Sequence, residues 1–196
     1  MKSKGIVLIL LAFFAPISVF LTDLAIFSLV ILWILDGQFR SKLDIIKSSP
    51  WILSLLLLLF IYLVGMMWGT NHQGAERILQ KTFILLLLPI LYTFNLSQKE
   101  IKYSLFAFLT ATTLSAVVAS LINLGFIKHL FKYSNIFAYN WQNPAFLSYT
   151  DHNIFLAFSL LVSFFLIYNN SSQKTLNIAL VLISILFLTN LYAEKG

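Results

Sequence analysis

Cysteine is missing from all 196 residues, which excludes disulfides, thiolate metal ligands and cysteine nucleophiles within this chain. Charge is nearly as scarce: 13 Lys and Arg and 7 Asp and Glu make ten per cent of the chain, where soluble domains carry about a quarter. No Walker A loop, no G-x-G-x-x-G and no G-x-S-x-G occurs, so these routes to phosphate, dinucleotide and acyl chemistry are closed. The three histidines, His72, His129 and His152, stand far apart without metal-ligand spacing, and neither a metal nor any other cofactor is expected. The net charge of +6 comes without a basic run, which argues against a nucleic-acid partner and for a role of Lys and Arg in membrane orientation. No internal repeat marks a paired transporter architecture.

What the chain has instead is apolar sequence. Hydrophobic residues make up 60% and the mean hydropathy is +0.90, a composition that belongs in a bilayer. At about 20 residues per span, the length allows roughly six to eight crossings and no extramembrane domain of independent size. The expected fold is therefore all-α, a polytopic transmembrane bundle of about seven spans that forms a single domain over 1–196. The opening Met1-Lys2-Ser3-Lys4 resembles a signal peptide, yet the apolar run continues to Leu35 without a convincing cleavage site, so it reads as an uncleaved first helix.

Residues 5–35 hold one charge, Asp23, and as a single helix would be about 46 Å long, more than a hydrocarbon core needs. Pro16 and the Leu21-Thr22-Asp23 step offer a turn, with Thr or Asp as N-cap, and split the run into helices near 5–20 and 23–35. Asp36 to Ser49 reads as a polar loop, ended by Pro50 at the first turn of a span over 51–68 that carries a tryptophan at each end. Ala75, Ile78, Leu79, Thr82 and Phe83 recur at helical spacing with Glu76, Arg77 and Lys81 off the stripe, which predicts an amphipathic surface helix leading into a span at 82–96. Pro89 inside that span is expected to remove a backbone bond and kink it.

Ser97 to Lys102 reads as a short charged loop before a span at 103–127. Its Thr110, Thr112, Thr113, Ser115, Ala116, Ala119 and Ser120 favour close helix packing, so this helix is expected to be central. Residues 128–150 interleave aromatic rings with amides, a composition suited to the membrane interface, either as a resting loop or as a wall for a lipid or sugar. Spans at 153–168 and 175–192 complete the chain.

With the N-terminus cytoplasmic and the first run split, eight Lys and Arg lie inside and five outside; one long first helix makes the count seven to six. The positive-inside rule favours the split. The amphipathic segment, the aromatic connection and the polar cluster Tyr149, Asp151, His152 and Asn153 then all face the exterior.

That cluster, at the mouth of a membrane-length apolar run, is the best pointer to function, since polar groups near lipid are costly unless used. The plainer alternative is that Thr150 or Asp151 caps the helix and its neighbours reside at the interface. Asp151 and His152, adjacent on a helix, point about 100° apart and make a poor acid/base dyad. Arg77 and Lys81, four apart, can meet an anionic group jointly or anchor to anionic lipid.

The order of features resembles the amino-terminal half of the bacterial O-antigen ligase and O-antigen polymerase family. The resembling pieces are the opening hairpin, Trp68-Gly69-Thr70-Asn71 passing into Ala75-Glu76-Arg77-Ile78-Leu79-Gln80-Lys81, the Leu88-Pro89-Ile90-Leu91-Tyr92 span, and Tyr149-Thr150-Asp151-His152-Asn153 opening a helix. The resemblance implies a multi-pass protein of the bacterial inner membrane, with membrane lipid, a lipid-linked saccharide on undecaprenyl diphosphate and an acceptor glycan as partners. It also implies metal-independent, inverting transfer in lipopolysaccharide-type polysaccharide assembly, with Arg77, Lys81, Tyr149, Asp151, His152 and Asn153 as candidate substrate-binding residues and none assigned to catalysis. The family's Arg follows a Leu-Thr-rich helix and its His lies in a later periplasmic loop. The run from Leu186 to Gly196 reaches that position without such an Arg, so the chain is expected to be an amino-terminal piece, inactive alone. The other reading is a transporter or a non-catalytic membrane subunit that binds lipid or solute in an outward-facing cavity.

Overall fold

The computed structural model describes residues 3–68, 82, 84–124, 126, 146–169 and 173–193, and every regular element among them is helical. In chain order these are α1 (Ser3–Phe14), α2 (Val19–Leu35), α3 (Phe39–Lys47), α4 (Pro50–Trp68), a 3-10 turn (Ile84–Leu86), α5 (Leu87–Thr93), α6 (Gln98–Asn123), α7 (Tyr149–Asn169) and α8 (Lys174–Ala193). They gather into two compact units, one of residues up to Ala25 with those from Gln98 on, the other Ile26–Ser97.

Among the described residues, three helices are long and apolar enough to cross a membrane: Gln98–Ile122, Thr150–Asn169 and Lys174–Tyr192. A fourth is added if α2 and α3, which meet at 109°, count as one broken span; α1, Pro50–Met66 and Ile84–Thr93 are apolar but shorter. At 1.5 Å per residue α1 reaches only about 18 Å, short of a ~30 Å core.

In the first unit α6 packs against α1, α7 and α8, the central place its small residues predict. Its buried face reads Ser104, Phe108, Ala111, Thr112, Ser115, Ala116 and Ala119, a helical stripe of mostly small side chains that lets backbones approach. Leu109 and Ala116 of α6 join Leu156, Val162 and Leu166 of α7 and Leu180 and Phe187 of α8 in one apolar core. Outward, α7 shows Leu161, Phe164 and Phe165 and α8 shows Leu182 and Ile185. Large apolar residues outside and small or hydroxylated ones inside are what a bundle solvated by lipid requires. At the start of α1, a Cβ added to Gly5 would overlap the buried Glu100 side chain, so any larger residue here would have to displace it.

The second unit is built around the end of α2. Gly37 (φ 60°) and Gln38 (φ 49°) adopt left-handed backbone conformations that turn the chain sharply into α3. α3 packs on α4 and α5, and the Trp51 and Tyr92 rings, 5.2 Å apart and nearly perpendicular, join α4 to α5.

Several boundaries differ from expectation. The first break falls at Ala15–Ser18 around a fully buried Pro16, and Ser18 rather than Thr22 or Asp23 starts α2, its Oγ accepting from Leu21 N–H at 3.4 Å. Thr22 instead turns its hydroxyl onto the Ser18 carbonyl. The polar stretch after Asp36 is not all loop but holds α3. Pro89 falls within the continuous apolar helix Ile84–Thr93, whose 3-10 opening, Ile84–Leu86, gives way to α5 just before it. Gln98 to Lys102 is the opening of α6 rather than a loop; Glu100 suits a first turn because the N-terminal end of a helix favours negative charge.

Candidate functional site

The segment Ser148–Asn153 folds as a helix start fixed by its own side chains. Ser148 Oγ accepts from Asp151 N–H at 3.3 Å and donates to Asp151 Oδ2 at 2.6 Å, while its carbonyl accepts the first helical bond from His152 N–H. The first bond is that of an N-cap serine, and the second ties the Asp151 carboxylate to the same hydroxyl. The cap is thus Ser148, two or three residues before those expected to supply it, and Asp151 is exposed and held by that bond.

His152, one residue on, turns the other way and is only 1% exposed. The 100° step between them divides the pair as the geometry of a helix dictates: one faces out, the other enters the bundle. Its Nδ1 lies 3.2 Å from Ser115 Oγ on α6, and its Nε2 is buried without a hydrogen-bond partner among the described residues. When the Ser115 hydroxyl donates to Nδ1, the ring proton sits on Nε2 as a donor in need of an acceptor. Asn153 is half-buried with its Oδ1 in the same condition.

Below His152 the α7 stripe continues through Leu156, Ser159 and Ser163, spaced four, three and four residues apart and all fully buried. The Ser159 and Ser163 hydroxyls have no partner among the described residues. The α6 hydroxyls behave differently: Ser104, Thr110, Thr112 and Thr113 each donate to the carbonyl four residues earlier, at 2.7–2.9 Å.

Ser115 meeting His152, and Phe108 meeting Phe155 and Phe158, set α6 and α7 antiparallel. A second polar pair lies further along α6, where Asn190 of α8 donates to Ser120 Oγ at 3.0 Å and to the Leu186 carbonyl at 2.9 Å. Both pairs sit toward the same end of this unit, the end from which α6 departs and at which α7 arrives.

Of the sequence-predicted site residues, the structure therefore places His152 and Asn153 at this polar end and Asp151 on its outer rim. For Tyr149 it gives the backbone start of α7. Arg77, Lys81 and the aromatic connection over 127–145 lie outside the described residues. Ser159, Ser163, Ser184 and Asn190 were not singled out from the sequence, though the 152, 156, 159, 163 spacing carries the signal. Among the described residues, no three His, Asp or Glu side chains gather as a metal site needs.

Set against models of protein families, curated proteins and solved structures, the chain finds no match.

Proposed function

We propose that these helices form the membrane part of an enzyme that transfers saccharide from undecaprenyl diphosphate to an acceptor sugar in cell-surface polysaccharide assembly. The observation that carries the reading is a buried imidazole with an unpartnered nitrogen at the polar end of a membrane helix bundle, next in sequence to an exposed, capped Asp151. Buried polar groups near lipid are retained where a ligand or water uses them. A sugar offers what this end lacks, hydroxyls that both donate and accept to His152 Nε2 and Asn153 Oδ1.

In this reading the chain crosses the inner membrane seven times from a cytoplasmic N-terminus, and the polar end opens to the exterior, where a polyprenyl-linked sugar is presented. The acceptor hydroxyl attacks the anomeric carbon and gives up its proton to water, the bond to the diphosphate breaks on the opposite face, and the diphosphate leaves with inversion. Arg77 and Lys81 meet the charge that develops on the leaving group.

The test is the product ladder of lipid-linked glycan in cells that make the full-length protein. His152→Phe and Arg77→Ala are each expected to lower transfer at least about tenfold, the cost of roughly one lost hydrogen bond to a reacting or charged group, while the protein stays inserted. Unchanged ladders with both variants would overturn the assignment, as would a topology reporter near Trp141 that reads as cytosolic.

A further inference from the structure

The elbow between α2 and α3 holds a cation in an unusual place. Lys42, 3% exposed, reaches back from α3 to donate to the Trp33 carbonyl in the last turn of α2, and its Nζ lies 3.5 Å from Asp36. The same Nζ stands 4.7 Å from the Trp33 ring centre and 5.3 Å from that of Phe39. The last carbonyls of a helix lack partners and carry its negative pole, so Lys42 caps α2 from the next helix. Trp33 is fixed in turn by its Nε1–H bond to Thr93 Oγ1 at 2.8 Å. These contacts span the 109° elbow from both sides.

If α2 lies along the membrane normal, an angle near perpendicular lays α3 in the plane of the surface. At 100° per residue, Phe39 and Leu43 share one edge of α3 and Lys47 and Arg40 fall together on the adjacent edge, about 40–60° further round. Lys42 and Ile45 take the side turned to the protein. Phe39 and Leu43 are 47% and 52% exposed, and Arg40, Asp44 and Lys47 are exposed. An exposed apolar edge flanked by two cations, with Asp44 and Ser41 beyond them, is the arrangement of a helix whose rings sit among acyl carbons while its cations reach phosphates.

We propose that α3 is an interfacial helix that binds the anionic headgroups of the surrounding bilayer through Arg40 and Lys47. This is independent of the catalytic reading and concerns the other compact unit. Two exposed cations near an anionic surface enrich such lipids roughly ten- to thirtyfold over zwitterionic ones.

The absence of native cysteine makes the test direct. In nanodiscs of phosphatidylcholine with one-fifth phosphatidylglycerol, nitroxides are placed on the full chain at Leu43→Cys or Ser41→Cys. The Leu43 label should be relaxed more by oxygen than by a water-soluble nickel chelate, and the Ser41 label the reverse. Lipid co-extracted with the protein should be enriched in phosphatidylglycerol, with the enrichment lost in Arg40→Gln/Lys47→Gln and kept in Arg40→Lys/Lys47→Arg. The unaltered label pattern in the Gln variant reports that α3 is still in place. Equal nickel access at both labels, undiminished enrichment in the Gln variant, or displacement of the lipid by soluble glycerol phosphate would overturn the proposal.

Discussion

The two compact units differ in how completely their buried polar groups are satisfied. In Ile26–Ser97, Lys42 has a carbonyl, a carboxylate and two ring faces, Trp33 has Thr93, and Ser49 donates to the Ile45 carbonyl. In the unit that contains α6, α7 and α8, His152 Nε2, Asn153 Oδ1, Ser159 Oγ and Ser163 Oγ are buried without partners among the described residues. A saturated network fixes geometry and leaves no bonding capacity over. An unsaturated one costs stability unless something outside the fold completes it. The first pattern reads as architecture and the second as a place of use.

The largest expected effect breaks the saturated side. Lys42→Met strips the α2 end of its cap and removes one partner of the partly exposed Asp36, a loss of about 1.5–3 kcal/mol on the scale of hydrogen bonds to charged groups. A thermal unfolding midpoint in detergent equal to that of the unaltered protein would show that the elbow does not depend on this side chain. Gly5→Val comes next, since the added carbons meet Glu100; about 1–3 kcal/mol of overpacking strain is expected from the same measurement. Thr93→Val, which keeps the shape and removes the acceptor of the Trp33 indole, should cost about 1–2 kcal/mol and shift Trp fluorescence.

The smallest effect sharpens the contrast most. If the α7 stripe is dry when empty, Ser159→Ala/Ser163→Ala removes two orphaned hydroxyls and leaves stability unchanged or raises it by about 1 kcal/mol. A clear loss of stability would mean that water or a neighbour satisfies both groups, and the distinction between the units would narrow to His152 and Asn153.

Much of this was legible in the chain itself where a single local rule decides. Pro50 begins α4 and Trp68 ends it, Pro16 sits at the first break, and Thr112, Ser115, Ala116 and Ala119 of the small-residue segment lie on the buried face of α6. The elbow was not legible, because the sense of Lys42 is tertiary: a cation inside a polar stretch looks like loop until the carbonyls it caps are known. The start of α7 was misplaced by two or three residues for a related reason. Thr150 and Asp151 both suit an N-cap, and only the bonds between Ser148 and Asp151 show that Ser148 takes the place. At the candidate site, adjacency of Asp151 and His152 already separated their directions, whereas the Ser115 contact joins positions 37 residues apart and no spacing rule announces it.

By folding their hydroxyls onto their own backbone, Thr110, Thr112 and Thr113 of α6 present methyl groups to whatever lies beside them. To a neighbouring chain or an acyl tail this rod is nearly a hydrocarbon, although a residue-by-residue polarity scale counts it as mixed. Replacing any of the three by valine would alter its score and hardly its surface, so polarity in this helix is better judged by where each proton points than by which letter stands in the sequence.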